Sequence, residues 1–577
     1  MRSRKVIAQF AIVFALATSS VLRGCDCTVR VFVESDATFH HPDGSGAGAD
    51  GEHGTGDEGP DVADVSSDLP GMGDGEEPDG GGDGGPGDVS GPCFANFPCP
   101  FSASGGPTSG TLCRGNDLYQ CETYTIPECE GLASTEVLLT TCPAGCLDAN
   151  DGKAVCKENT QCAGGEDGDI VFTFQADAKI TSTPAIGADG TIYFGTVNAT
   201  FYAVGCDGKK KWDWKCPCEV WAFEGSPAIG ADGTIYVGED FEAPNYLFAL
   251  NPDGTEKWRH EVQGLNEVQG LYAQIAASPA LGSDGTIYIG QGGWMEVVMR
   301  GALLGVGPDG KVRAGFPVAC GAVFASSAVS GGVVYATDLT ATLWVPYGGT
   351  AFAVAADGTI AWRTDLPAGY EGSSIAVGGQ GYIYFGMHYA KFDPIAPPPE
   401  IAVVDAATGQ IARRVPVGAH GRVVGSPVVL MPNVETVEFN EAAFVMTEDG
   451  YLVTRHLVGN SELSNEAKIG DRAYGAPIIG DDFYVYVAAV KDDFTFSTVL
   501  ARVWPGGADT AEEFAAITGE EVSTSLAMGN GGVLYFGTES GKLIAVKTGA
   551  TGIDRKAPWP TFRHDDRNTG NADYVPK

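Results

Sequence analysis

The chain repeats one pattern eight times. TPAIGADGTIYFG begins at Thr183, SPAIGADGTIYVG at Ser226 and SPALGSDGTIYIG at Ser278, and weaker copies follow at Ser326, Ser373, Ser426, Ala476 and Ser525. A repeat this short cannot bury its own apolar face, so it must lean on its neighbours; that limits the fold to a repeat architecture. The starts lie roughly 43 to 53 residues apart, which suits a four-stranded antiparallel blade with its loops. Within a unit an apolar stretch ends in a Gly/Asp turn, TIYVG alternates, and YLFALNPDG and EKWRHEV follow. Period-two runs rich in β-branched and aromatic residues read as strands, here A to D of one blade. The expected fold class is all-β, with an eight-bladed β-propeller over residues 166–550. The eighth unit ends on its third strand, KLIAVKTGATG, whereas DIVFTFQAD from Asp169 is a fourth strand with no blade before it. Pairing the two closes the ring and removes two open edges.

The sequence ahead of the propeller has a different character. Arg2, Arg4 and Lys5 precede an apolar run over 6–22, the pattern of a signal peptide over residues 1–24 and too short for a membrane anchor. Residues 25–92 form the next expected unit. Between His40 and Gly91 they contain no Lys or Arg; so polar and like-charged a stretch cannot offset its ordering entropy, and it is expected to be a disordered acidic tether. Such a linker reaches about 40 Å by chain statistics. It also carries much of the net charge of −39, which excludes nucleic acid as a partner and disfavours an anionic bilayer surface.

Residues 93–165 hold nine of the fifteen cysteines, Cys93, Cys99, Cys113, Cys121, Cys129, Cys142, Cys146, Cys156 and Cys162. Few aliphatics accompany them, the composition of a small module stapled by disulfides in an exported protein. Nine is odd, so Cys27 or a propeller cysteine is expected to complete the set. Cys216 and Cys218, separated by Pro217, read as a disulfide to each other or to Cys320, with Cys206 as a further disulfide candidate. Connectivity stays open.

The SPAIGADGTIYVG, ALNPDG and EKW elements resemble those of the PQQ-like (quinoprotein-like) propeller repeat family, which includes quinoprotein dehydrogenases and outer-membrane assembly lipoproteins. The resemblance implies that Trp212, Trp258 and Trp362, at equivalent points of the fourth strand, are docking tryptophans wedged between blades. Asp189, Asp232 and Asp357 of the ADG turns read as turn formers that accept backbone hydrogen bonds. PWPTFRHDDRNTG, from Pro558 to Gly570, resembles a flanking motif of such propellers. Residues 551–577 are accordingly expected to be a clasp packed on the ring by Trp559 and Phe562. Leu22, Arg23, Gly24 and Cys25 resemble a bacterial lipoprotein cleavage box with Cys25 as the lipidated residue, although Arg23 departs from the usual small residue.

A dehydrogenase of this family implies two adjacent cysteines beside the quinone and ligands for calcium. No two cysteines here are adjacent, so no cofactor is expected and PQQ with calcium is disfavoured. No nucleophile elbow, zinc-binding His pair, Walker loop or dinucleotide fingerprint occurs either. The A–B and C–D turns are mostly short, while the B–C connections lengthen in units 2 to 5. Those loops and the adjoining D–A segments carry Trp221, Phe223, Phe241, Trp294, Met295, Trp344, Tyr347, His388, Tyr389 and Phe392. Aromatics and Met are enriched at recognition surfaces, so this face is the expected binding face; the alternative is that they pack together and plug the channel mouth. The reading is a non-enzymatic, monomeric lipoprotein of the cell envelope, at the outer membrane or cell surface or alternatively in the periplasm. It meets the membrane only through its N-terminal lipid and binds an envelope protein, peptide or glycan. The alternative is an enzyme, a divergent quinoprotein dehydrogenase or a glycan-processing propeller.

Overall fold

The computed structural model describes residues 164–573 apart from segments 218–222, 240–244, 263–273, 296–297, 343–344, 368–369, 390–397, 432–440, 458–463, 494–495 and 506–509. Upstream it describes only strands: Gly110–Arg114, Asp117–Ile126 and Gly131–Thr141 form an antiparallel sheet, and Cys146–Asp148 pairs with Ala154–Cys156. The expected signal peptide, Cys25 and the expected acidic tether lie outside the described residues.

From residue 170 onward the strands fall into eight antiparallel blades. Strand A of each is only two or three residues long in most blades, as in Ala185–Ile186 and Ala228–Ile229, and lies buried. Strand D alternates exposed and half-buried residues, as in Lys210–Lys215, because one face packs on the next blade and the other meets water. The ring closes as the sequence requires: Ile170–Gln175 pairs with Lys542–Lys547, from Val546↔Ile170 to Lys542↔Gln175.

The repeated residues have separate jobs. A Ser or Thr at the start of six of the eight units accepts an amide from the preceding blade. Thr183 N donates to Ser226 Oγ (2.9 Å), Ser226 N to Ser278 Oγ (2.9 Å), Ser278 N to Ser326 Oγ (3.1 Å) and Ser326 N to Ser374 Oγ (3.1 Å). Ala476 N donates to Ser525 Oγ (3.0 Å), and Ser525 N to Thr183 Oγ1 (3.2 Å) across the closure. The belt is interrupted at blade 6, where strand Val423–Leu430 shifts register between Val424 and Val428, and blade 7 has Ala476 in the hydroxyl position. Ser278→Ala should therefore cost about 1–3 kcal/mol, because it strands the buried amide of Ser226. The midpoint of denaturant unfolding measures it, and a loss under about 0.5 kcal/mol would show that the belt contributes little.

The glycine that ends strand B makes room for the D–A segment. A Cβ at Gly195 would strike Phe223, at Gly238 Ile275, at Gly290 Val323, at Gly386 Val423 and at Gly537 Ile180. On the outer side Trp212 Nε1 donates to Pro252 O (2.8 Å), Trp258 Nε1 to Pro308 O (2.9 Å) and Trp362 Nε1 to Ala406 O (2.8 Å), each in the C–D turn of the following blade. Each indole also covers a turn glycine, Gly254, Gly310 or Gly409, at positive φ. The same tryptophans pack against the strand B tyrosine of their own blade, as in Trp212 with Tyr193 at 5.8 Å between ring centroids. In blade 3 Phe316 takes that place against Tyr288, in blade 7 Phe514 against Tyr486 and in blade 8 Phe172 against Tyr535.

Candidate functional site

The two ends of the ring are built differently. At the A–B end the ADG turns are closed by their own aspartates: Asp189 Oδ1 accepts from Thr191 N (3.1 Å), Asp232 Oδ1 from Thr234 N (3.0 Å) and Asp357 Oδ1 from Thr359 N (2.9 Å). Burial alone would raise the Asp189 carboxyl, but bonds from Lys211 and Thr191 outweigh it and hold it below the usual range.

The C-terminal segment crosses this same end. Ile186 N donates to Asp566 O, Ile229 N to Arg567 O, Leu281 N to Thr569 O and Val329 N to Gly570 O, so strands A of blades 1 to 4 each give one amide to the tail. Val429 N and Ile479 N do the same to Trp559 O and Pro560 O from blades 6 and 7. Trp559 is fully buried and Phe562 nearly so.

Arg563, His564 and Asp565 serve this closure. The Arg563 guanidinium donates to the carbonyls of Ser327 and Pro279, and burial pulls its pKa down to about 9. Asp565 accepts from Arg567 N (2.9 Å), Thr569 N (3.0 Å) and the Thr569 hydroxyl. Arg563, His564 and Asn568 hold left-handed φ values of 61°, 76° and 55°, which cost about 1–2 kcal/mol each in a non-glycine residue and are offset by these bonds.

The B–C end is elaborated on one side. In blade 3 strands B and C run on as Ile287–Met295 and Val298–Val306, in blade 4 as Val333–Thr342 and Val345–Ala355, and in blade 5 strand B extends over Tyr382–Tyr389. The corresponding strands B of blades 1 and 2 have four residues. The two long hairpins meet through Val298↔Thr342, joining blades 3 and 4 into one eight-stranded sheet. Tyr370–Gly372 pairs with the end of the blade 5 strand through Tyr370↔Tyr389. Segments that read as loops in the sequence are thus largely ladder, because paired strands satisfy each other's backbone groups beyond the blade.

The residues expected on this face divide accordingly. Trp294 and Met295 lie in the blade 3 hairpin, Tyr347 in the blade 4 hairpin, and His388 and Tyr389 in the blade 5 strand. His388 is half-buried. Trp221, Phe241, Trp344 and Phe392 lie outside the described residues. Phe223 is a correction: it is fully buried, with Phe201 at 5.7 Å and Trp214 at 6.3 Å between ring centroids. The signal was its place three residues before SPAIG, where Ile180, Ile275, Val323 and Val423 also fill the space above a strand B glycine.

Cys320 is a second correction. It is a free thiol, held in strand Val318–Cys320 against Gly301 of blade 3, two blades away from Cys216. Burial, and after it the charge of Asp338, pushes the thiol pKa well up, so Cys320 stays protonated and is no thiolate nucleophile. Asp338 itself is spent on structure: it accepts from Gly321 N (2.8 Å), Thr350 N (2.9 Å) and Arg363 Nη2 (2.5 Å).

A further charged group lies on this end at blade 6, unannounced in the sequence. His420, in the D–A segment, places Nε2 3.0 Å from Glu466 and Nδ1 3.4 Å from Asp449, with its ring on Tyr451 at 4.2 Å. Burial would raise both carboxyls; bonds from His420 and Arg455 to Glu466, and from Thr447 and Gly421 to Asp449, hold them below their ordinary values. Every member is engaged, so the group locks the D–A segment to blade 6.

A family model described as outer membrane protein assembly factor BamB matches residues 150–302. No curated protein matches the chain. Among solved structures, BamB from Moraxella catarrhalis is 14% identical over 67% of this chain and 92% of its own, with a TM-score of 0.36. The WD40 domain of SCAP from fission yeast is 9% identical over 66% and 98%, with a TM-score of 0.42. With eight blades closing one ring and the family model matched through the first of them, the chain is an eight-bladed β-propeller whose first blades carry PQQ-like repeats.

Proposed function

We propose that this protein is a non-enzymatic binding or scaffold module of the cell envelope, carried on a lipid at Cys25 and an acidic tether, that takes a protein, peptide or glycan on its B–C face. One observation carries the reading: the tail occupies the A–B end of the ring, while blades 3 and 4 raise joined hairpins at the other and blade 5 extends its strand B at the same end. Trp294, Met295 and Tyr347 belong to these hairpins, and aromatic residues and Met are the types that recognition surfaces favour. The family model's description as an outer-membrane assembly factor supports an envelope location. The absence of adjacent cysteines in the sequence supports binding over quinone chemistry.

Proximity crosslinking in the native envelope, comparing the parent protein with Trp294→Ala and Trp344→Ala, tests the proposal. Both variants should keep their stability within about 0.5 kcal/mol, as surface substitutions do, and lose the crosslinked partner. Loss of stability with the partner retained would mean that the aromatics plug the channel instead. Dye reduction after reconstitution with quinone and calcium, lost when calcium is removed, would overturn the non-enzymatic reading.

A further inference from the structure

Cys206, in the C–D turn of blade 1, and Cys216, just past the end of its strand D, are both disulfide-bonded. They cannot bond each other. Lys210 pairs with Val204 and Lys215 with Thr200, so the two cysteines lie at opposite ends of a hairpin whose length is about 17 Å at 3.4 Å per residue. A disulfide needs Cα atoms within about 7 Å. Cys218 is excluded as well, since two residues beyond Cys216 recover at most about 7 Å, and Cys320 is free. Within this chain, the partner of Cys206 therefore lies upstream of Gly164. The cysteines there are Cys25, Cys27 and the nine between Cys93 and Cys162.

We propose that Cys206 is bonded to one of those nine, so that the cysteine-rich segment is stapled onto the C–D end of blade 1. The odd count of the segment becomes even with this bond. The path of the chain agrees. Asp167 accepts from Arg502 Nη1 of blade 7 (2.5 Å), and Gly168 N donates to Lys547 O of blade 8 (3.0 Å), before strand D of blade 8 begins at Ile170. Phe172 of that strand lies against Gly208, where a Cβ would stand 2.7 Å from its ring, and Gly208 is two residues from Cys206. Residues 167–168 thus rest on blades 7 and 8, and the strand that follows packs on the turn that carries Cys206. Asp169 lies seven positions beyond Cys162, a reach of about 24 Å.

Exposed apolar side chains occur on the two blades that hold residues 167–168. Ile170 is 51% exposed, Trp504 48% and Phe483 41%, and Trp504 packs edge-on against Tyr484 at 5.4 Å. Phe483 holds a left-handed φ of 67° where blades 1 to 3 have Gly190, Gly233 and Gly285. Ile170 stands two residues beyond Gly168, and Trp504 two residues beyond Arg502, the partner of Asp167. Forming the bond takes two thiols to one disulfide and passes two electrons and two protons to an external disulfide donor, as an oxidising compartment supplies. The inference does not depend on the B–C face being a binding surface.

Peptide mapping of the full oxidised protein under non-reducing conditions tests it. The peptide containing Cys206 should be recovered joined to a peptide from 93–162. Cys206→Ser should gain one titratable thiol over the parent, and after cleavage within 157–166 it should release the segment under non-reducing denaturation, where the parent retains it. A bond from Cys206 to Cys25, Cys27 or a second chain, or an unbonded Cys206, would overturn the proposal. Mapping of the parent decides the matter even if the variant fails to accumulate.

Discussion

A chain beginning at Asp177, and so lacking Ile170–Gln175, should lose about 5 kcal/mol or more of stability and unfold at a much lower denaturant midpoint. The strand gives blade 8 its fourth member, and five residue pairs with Lys542–Lys547 go with it. Two aromatic anchors go as well: Phe172 packs on Tyr535 at 6.1 Å, and Phe174 on Tyr202 at 5.6 Å and Phe194 at 6.2 Å. Both are half-buried, so the low end of the roughly 3–5 kcal/mol range for a core phenylalanine applies to each. The truncation also leaves an unpaired strand edge, which favours aggregation. A truncated chain with a midpoint equivalent to the parent's within about 1 kcal/mol would mean that closure through this strand contributes little.

Trp559→Ala should cost about 3–5 kcal/mol, the range for truncating a fully buried large aromatic. Trp559 does more than fill space. Its backbone exchanges hydrogen bonds with Val429 of blade 6 in both directions, and its ring meets His564 at 5.2 Å, so its loss should loosen the tail from several blades together. Hydrogen exchange at Ile186, Ile229, Leu281 and Val329, whose amides bond the tail, would report this as faster exchange at all four. A cost under about 1 kcal/mol with unchanged exchange would reduce the tail to a passive appendage.

The blade count and the closure were legible in the sequence because both rest on local signals. Alternation at period two, a Gly/Asp turn and a repeated Ser are properties of short windows, and eight copies reinforce one another. The clasp was legible as a packed segment through Trp559 and Phe562. Its location was not, since Ile186 and Asp566 are brought together only by the finished ring. Phe223 was misread as a surface aromatic. Its neighbourhood of Trp221 and Glu224 looks like a loop, and only alignment with Ile180, Ile275, Val323 and Val423 places it in the core. The Cys320 disulfide failed for a similar reason: sequence counts cysteines, whereas bonding needs them within about 7 Å.

The lengthening of the B–C connections was visible, yet their conversion into paired strands was not. The residues at 291–300 and 338–350 are compatible with either loop or strand, and what decides is a partner: each hairpin arm satisfies the other's backbone, and Val298 meets Thr342 of the next blade. The sequence by itself determined an eight-fold β repeat, an open first strand that must close the ring and a cysteine-rich stretch ahead of it. The tertiary structure alone decided which end of the ring is occupied, which hairpins join, and which cysteines are too far apart to bond. Turn chemistry and alternation act over a few residues, while the tail, the hairpin junction and the disulfides depend on distances between segments that become neighbours only once the blades are arranged in a circle.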